Sequence, residues 1–178
     1  DPIAAKLQDR RTPPVWQEEG TSRFILGADQ QGRDLLSRMI HGARVSLAVA
    51  GLAILLGMTF GTVFGLVSGY FGGWIDEIMM RIVDIFLSIP LIMVALVVTL
   101  VVGKGFMTVV GVLVLFSWVP FARQVRAEAL QLKALDYVAL AHVAGASTPR
   151  ILLRHILPGV VNTIIVISTL NVGYLILT

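Results

Sequence analysis

No Asp, Glu, Lys or Arg occurs from Val45 to Ile75. Nothing else in the chain restricts its fold as much. The run is longer than the ~20 apolar residues an α-helix needs to cross a bilayer. Three more charge-poor runs follow: Ile85–Gly103, about Gly105–Ala122, and Ile156 to the end. The chain is 56% hydrophobic and only 14% charged, where soluble domains carry near one-quarter charged residues. These features predict an all-α, polytopic membrane protein with four spans in this chain, at about 45–69, 85–103, 105–122 and 156–178.

The charges that remain are clustered. The net charge is +3 and the sequence pI about 9.7. The basic residues sit at the ends of apolar runs, as they do where they flank membrane spans, so nucleic acid is not an expected partner. There is no cysteine, which excludes disulfides, thiol chemistry and cysteine-based metal sites. No signal peptide is visible at the start. The chain begins at Asp1 without a methionine and stops inside an apolar run, so both ends are expected to be incomplete.

Residues 1–44 read as an extended arm, with seven Lys/Arg against six Asp/Glu. Pro13-Pro14 and Glu18-Glu19-Gly20 mark irregular, water-exposed chain. From about Gln30, Leu35, Leu36, Met39 and Ile40 fall at helical spacing with Arg33, Asp34, Arg38 and Arg44 between them, which predicts an amphipathic helix at the membrane interface. Two units are expected: 1–44, and a membrane domain over 45–178. In the first span Gly57, Gly61, Gly65 and Gly69 recur every four residues and make one side of the helix a groove. Glycine spacing reports closeness, so a moving crossing and static packing are equally compatible with it. Gly72-Gly73 turns the chain. Asp76, Glu77, Arg81 and Asp84 then lie at helical spacing, with Glu77–Arg81 the favoured surface pair and a second partner contact the alternative. Pro90 is expected to kink or break the second span. Lys104 occupies a tight turn, and Trp118, Arg123 and Arg126 mark an interface. In the last span Asn162 and Asn171 are candidates for lining a pathway, with ordinary interhelical hydrogen bonds as the more common explanation.

The one mixed-polarity stretch between long apolar runs is Asp136–Pro158, DYVALAHVAGASTPRILLRHILP. A first helix over about 134–144 is expected to stop at Gly145, which tolerates a left-handed backbone. Thr148 is expected to cap a second helix, with Pro149 at its first position and Pro158 interrupting it. The small residues Ala139, Ala141, Ala144, Gly145, Ala146 and Ser147 give this corner a flat outer face suited to docking.

This stretch resembles the cytoplasmic coupling loop of ABC importer permeases, whose pattern is Glu-Ala-Ala, three residues, Gly, nine residues, Ile-x-Leu-Pro. Ala141 falls on the second alanine, Gly145 on the glycine, and Leu157 and Pro158 on the closing pair. Ala139, Leu140 and His155 stand where the pattern has Glu, Ala and Ile. DYVALAHVAGAS with RHILP, and the earlier LGADQQGRDLLSRMIHGARVSL, look like the dipeptide/oligopeptide/nickel branch. The resemblance covers residues 24–178. It implies a type I importer helix bundle with six spans in the complete protein. It also implies a second homologous permease, two cytoplasmic ATPase subunits that bind ATP and Mg, an extracytoplasmic substrate-binding protein, and a bacterial inner-membrane location. The coupling residues it implies are Tyr137, Ala141, His142, Gly145, Ala146, Ser147, Leu157 and Pro158. Arg150 and Arg154 are expected to pair with acids on the ATPase or to snorkel to lipid headgroups.

Alternating the spans places Gly69–Asp84 and Arg123–His155 on one side. The second of these carries five Lys/Arg against Glu128 and Asp136, so it is expected to be cytoplasmic and the arm 1–44 outside. No G-x-x-x-x-G-K-[ST] loop occurs, so no ATP hydrolysis and no cofactor are expected in this chain. His41, His142 and His155 lack metal-site spacing, and no metal or catalytic residue is assigned. The spans hold almost no ionisable residue, which argues against the alternative of a self-contained channel or ion-coupled secondary transporter. For a non-transporting assembly protein the loop pattern would be a coincidence.

Overall fold

The computed structural model describes residues 6–177. It is built of helices; among the described residues no strand forms, and Ala28 and Asp34 make only a lone antiparallel bridge. The chain divides into two compact units, Asp1–Val49 and Ala50–Thr178. The expected boundary at 44/45 falls a few residues before this division, and the arm's residues 1–5 lie outside the described residues.

The first unit is organised by Asp29. Its carboxylate accepts from the backbone N–H of Gln31 at 2.8 Å and of Arg33 at 3.0 Å, and pairs with the side chains of Arg33 and Arg38. The Arg33 backbone donor, assisted by Gln31 and by both guanidinium charges, lowers the Asp29 pKa to about 2 against opposing desolvation. Asp34 then starts helix α1 (Leu35–Phe71) by accepting from Leu36 N–H at 3.3 Å and Ser37 N–H at 3.2 Å, which satisfies two of the unpaired donors of the first turn. The expected interfacial helix is not a separate element. With no Gly or Pro break at Arg44–Val45, it and the first span form one helix of 37 residues.

Gly72 and Gly73 both adopt positive φ, 64° and 55°, and turn the chain into α2 (Gly73–Ser88). A single second span from 85 to 103 does not form. The helix starts earlier and breaks at Ile89–Pro90, and α3 (Leu91–Val102) leaves at 77°. Pro90 lacks the N–H that would continue α2 and forces an extended residue before it, so the chain bends instead of kinking. Gly103–Gly105 is the tight turn into α4 (Phe106–Lys133). This helix runs well past the expected end at Ala122, and carries Arg123, Arg126 and Glu128 on continuous helix. Among the described residues three helices are long and apolar enough to cross a membrane, or there are four spans if α2 and α3 count as one.

α4 is the hub of the second unit. Lipid gives helices little hydrophobic reason to associate, so close packing has to do it. The glycine row of α1 supplies that closeness. A Cβ on Gly57 would lie 2.2 Å from Ser117 Oγ, and on Gly61 2.3 Å from the Trp118 carbonyl. On Gly65 it would lie 2.6 Å from the Ala122 carbonyl, and on Gly69 2.8 Å from Ala129 Cβ. All four glycines therefore face one stripe of α4. Ser117 Oγ donates across the crossing to the Ala53 carbonyl at 2.8 Å. On one flank Phe64 and Phe86 pack against Trp118, Val119, Ala122 and Val83. On the other, Phe121, Val125 and Ala129 join a core that reaches into the corner after α4 and into the last helix.

Candidate functional site

The site is the segment that follows α4. Helix α5 (Asp136–Val143) is shorter than the expected 134–144, because α4 itself extends to Lys133 and Ala134 is its C-cap. α5 ends at Gly145 as the sequence suggests, and the bonding shows why. Gly145 sits at φ +79°, its N–H donates to His142 O at 3.0 Å, and Ala146 N–H donates to Ala141 O at 3.0 Å. That is a Schellman closure, in which a left-handed residue lets two terminal carbonyls find donors. Ala141 and Ala146 meet at this closure and pack against the core beneath.

The next helix, α6 (Thr148–Ile151), is capped one residue earlier than expected. Ser147, with an extended ψ of 152°, is the N-cap and Pro149 lies within the first turn, where its missing N–H is still one of the unpaired four. Pro158 does not interrupt the helix. A π-helical turn, Leu152–Ile156, intervenes, with Leu157 N–H donating five residues back to Leu152 O, and α7 (Leu157–Leu177) continues without a break. An α-helical register would drive the Pro158 ring against the Arg154 carbonyl and leave that carbonyl without a donor; the wider turn just before it relieves both problems. The corner is thus joined to the last span by unbroken helix from Thr148 to Tyr174.

α5 is two-faced. Val138 is buried, and Ile151 and Ile156 lie fully in the same core. Leu140 and Val143 face outward, 68% and 87% exposed, and His142, Gly145 and Ser147 are exposed beside them. A Cβ on Gly145 would meet nothing within 4 Å, so the surface there is open. Of the other loop residues singled out, Leu157 packs against the core and Pro158 is exposed. Tyr137 reaches back across the corner and donates its hydroxyl to the His155 carbonyl at 3.2 Å. Arg150 and Arg154 are exposed.

The remaining candidates lie elsewhere. Asn162 is on the exposed side of α7, and Asn171 bonds to the Ile167 carbonyl of its own helix at 2.9 Å rather than to another helix. No group of three metal-ligating side chains gathers among the described residues. The expected Glu77–Arg81 pair does not form. The ion pairs of α2 among the described residues run to α4 instead, Arg123–Asp84 at 3.1 Å and Arg126–Asp76. The second is bidentate, Nε and Nη2 each at 2.5 Å, and the buried Ser68 of α1 also donates to Asp76. This three-helix node was not read from the sequence. Its only signal there is one acid just after the longest charge-free run and one base just after a later span.

With this geometry in view, residues 61–178 match the model of the binding-protein-dependent transport system inner membrane component family. The chain belongs to this family. It is 43% identical over 161 residues to a glutathione transport system permease of Pectobacterium atrosepticum, covering 90% of this chain and 54% of that protein. It is 36% identical over 160 residues to a di/tripeptide transport system permease of Pseudomonas aeruginosa, covering 90% of this chain and 53% of that protein. A glutathione transport system permease of Shigella flexneri is 46% identical over 147 residues, covering 83% and 48%. The chain spans about half the length of these curated relatives. The all-helical membrane fold and the resemblance drawn from the loop are borne out by the family.

Proposed function

We propose that this chain forms part of the translocation pathway of an ATP-driven importer that takes short peptides, glutathione among them, into a bacterial cell. The peptide class follows the names of the relatives. The observation that carries the coupling role is the two-faced α5, seated on the same core as the helix that runs unbroken from Thr148 into α7. In this reading a cytoplasmic ATPase receives the outward face around Leu140, Val143 and Gly145. Closure of two ATPases on nucleotide would push α5. Its buried side shares a core with Ile151 and Ile156, so the push would reach α7 and α4 as a tilt of packed helices. A second, related permease would supply the other half of the pathway, and an extracytoplasmic binding protein would deliver solute. In this reading the corner lies in the cytoplasm and the arm outside, which the five Lys/Arg of Arg123–His155 support.

The chain has no cysteine, so Ser147→Cys gives one reporter without background. In membranes holding the complete assembly, a bifunctional thiol reagent should yield an adduct to an ATPase-sized partner that changes with ATP. Labelling only from outside, or no adduct under any nucleotide condition, would refute both the topology and the coupling role.

A further inference from the structure

The π-turn Leu152–Ile156 is the irregular step within the helix that runs from Thr148 into the last span. It follows the fully buried Ile151 and ends on the fully buried Ile156, two residues before Pro158. A π-turn holds one residue more than the α-turn it replaces, and its bonding is weaker, so the extra residue can be passed along the helix. Such slip would absorb a push from α5 before it reached α7. Two contacts oppose it. His155 Nδ1 lies 3.4 Å from the Arg150 carbonyl, which holds the ring over the preceding turn. The Tyr137 hydroxyl donates to the His155 carbonyl and is the only side-chain bond from α5 to the π-turn among the described residues. Tyr137 directly precedes Val138, the buried anchor of α5, so its hydroxyl moves with that anchor.

We infer that Tyr137 acts as a positioning residue: its hydroxyl locks the π-turn in register, so that displacement of α5 arrives at α7 as rotation and is not lost as slip. This rests on the coupling role proposed above and deepens it, because it gives the exposed Tyr137 a role through a bond within this chain and not through the ATPase contact. The solute class does not matter to it.

The test is Tyr137→Phe, which removes one oxygen and keeps the ring, in the complete assembly reconstituted into liposomes. Solute imported per ATP hydrolysed should fall about fivefold, the equilibrium weight of one ordinary hydrogen bond. A substitution that only weakened the fold would lower import and ATP hydrolysis together and leave their ratio in place. The Ser147→Cys adduct is followed in the same background. An adduct that persists while the ratio falls supports the inference. A persisting adduct with an unchanged ratio overturns the inference and leaves the coupling role standing. Loss of the adduct in the parent protein with Tyr137 intact overturns the coupling role, and the inference with it.

Discussion

Gly61→Ala adds one methyl group where the backbones of α1 and α4 cross closely. The new Cβ would lie 2.3 Å from the Trp118 carbonyl oxygen, 2.7 Å from Phe121 Cβ and 3.1 Å from the Ala122 nitrogen. Two of these are backbone atoms, so no side chain can swing aside. Restoring ordinary contact means parting α1 and α4 by about 1 Å, and a gap of that size forfeits up to half of each neighbouring dispersion contact. Overpacking of this kind costs about 1–3 kcal/mol. Alanine's better helix propensity returns about 1 kcal/mol, leaving a net loss of about 0–2 kcal/mol. Gly51→Ala is the matched control. It lies on the same helix, and its Cβ would meet nothing within 4 Å, so only the propensity gain applies. The propensity gain is common to both variants, so overpacking alone separates them, and at about 2–4 °C per kcal/mol for a chain of this size thermal unfolding in detergent should place Gly61→Ala about 2–12 °C below Gly51→Ala. If Gly61→Ala melts at or above Gly51→Ala, the glycine row is not a packing surface and the argument for α4 as hub fails.

Two further outcomes are expected. Asp76→Asn and Arg126→Gln, alone and combined, should show a coupling of about 1–2 kcal/mol in a double-mutant cycle on detergent unfolding, because either single change leaves a half-buried charge facing a lost partner; strict additivity would show that the bidentate geometry contributes nothing. In the arm, the Asp29 carboxylate sits at about 2, below its ordinary 3.8, so its contribution is complete above about pH 4 and is lost as the pH falls from there towards 2. Amide exchange at Gln31 and Arg33, both donors to that carboxylate, should accelerate over that window beyond the ordinary pH trend. Protection that stays flat to pH 2 would remove Asp29 as the organiser of the unit.

What could be read from the chain beforehand follows the range of the forces. Charge-free length marks the spans because the bilayer sets a threshold that no partner can change. Gly145 could be read because a left-handed C-cap is a local requirement, met within five residues. The four-residue glycine row announced a close crossing, but not with which helix; Ser117, Trp118, Ala122 and Ala129 repeat at the complementary spacing without any distinctive chemistry. The Asp76–Arg126 pair, fifty positions apart, was invisible for the same reason. Proline was legible at one position and misleading at the other. Pro90 broke a helix outright, whereas Pro158, expected to interrupt, was absorbed by a π-turn that no composition rule announces. The merger of the arm's amphipathic segment with the first span was missed because charge ends a hydrophobic run without ending a helix. On the docking corner, the sequence showed which residues are small and exposed, but the inward reach of Tyr137 depends on a contact eighteen residues away.

The bend at Pro90 has a bearing on what surrounds the protein. α3 has 12 residues and spans about 18 Å, against a hydrocarbon core of about 30 Å. Were α3 to stand along the membrane normal with Gly103–Lys104 at one surface, the corner at Ile89–Pro90 would lie some 12 Å inside the opposite face. There the last carbonyls of α2 have no helical donors, and the Ser88 hydroxyl is already spent on Asp84 O. Hydrocarbon cannot solvate them. In that placement this side of the molecule would have to be wetted or sheathed by another protein surface, and the corner would answer to hydration and osmotic stress more than to lipid tail length.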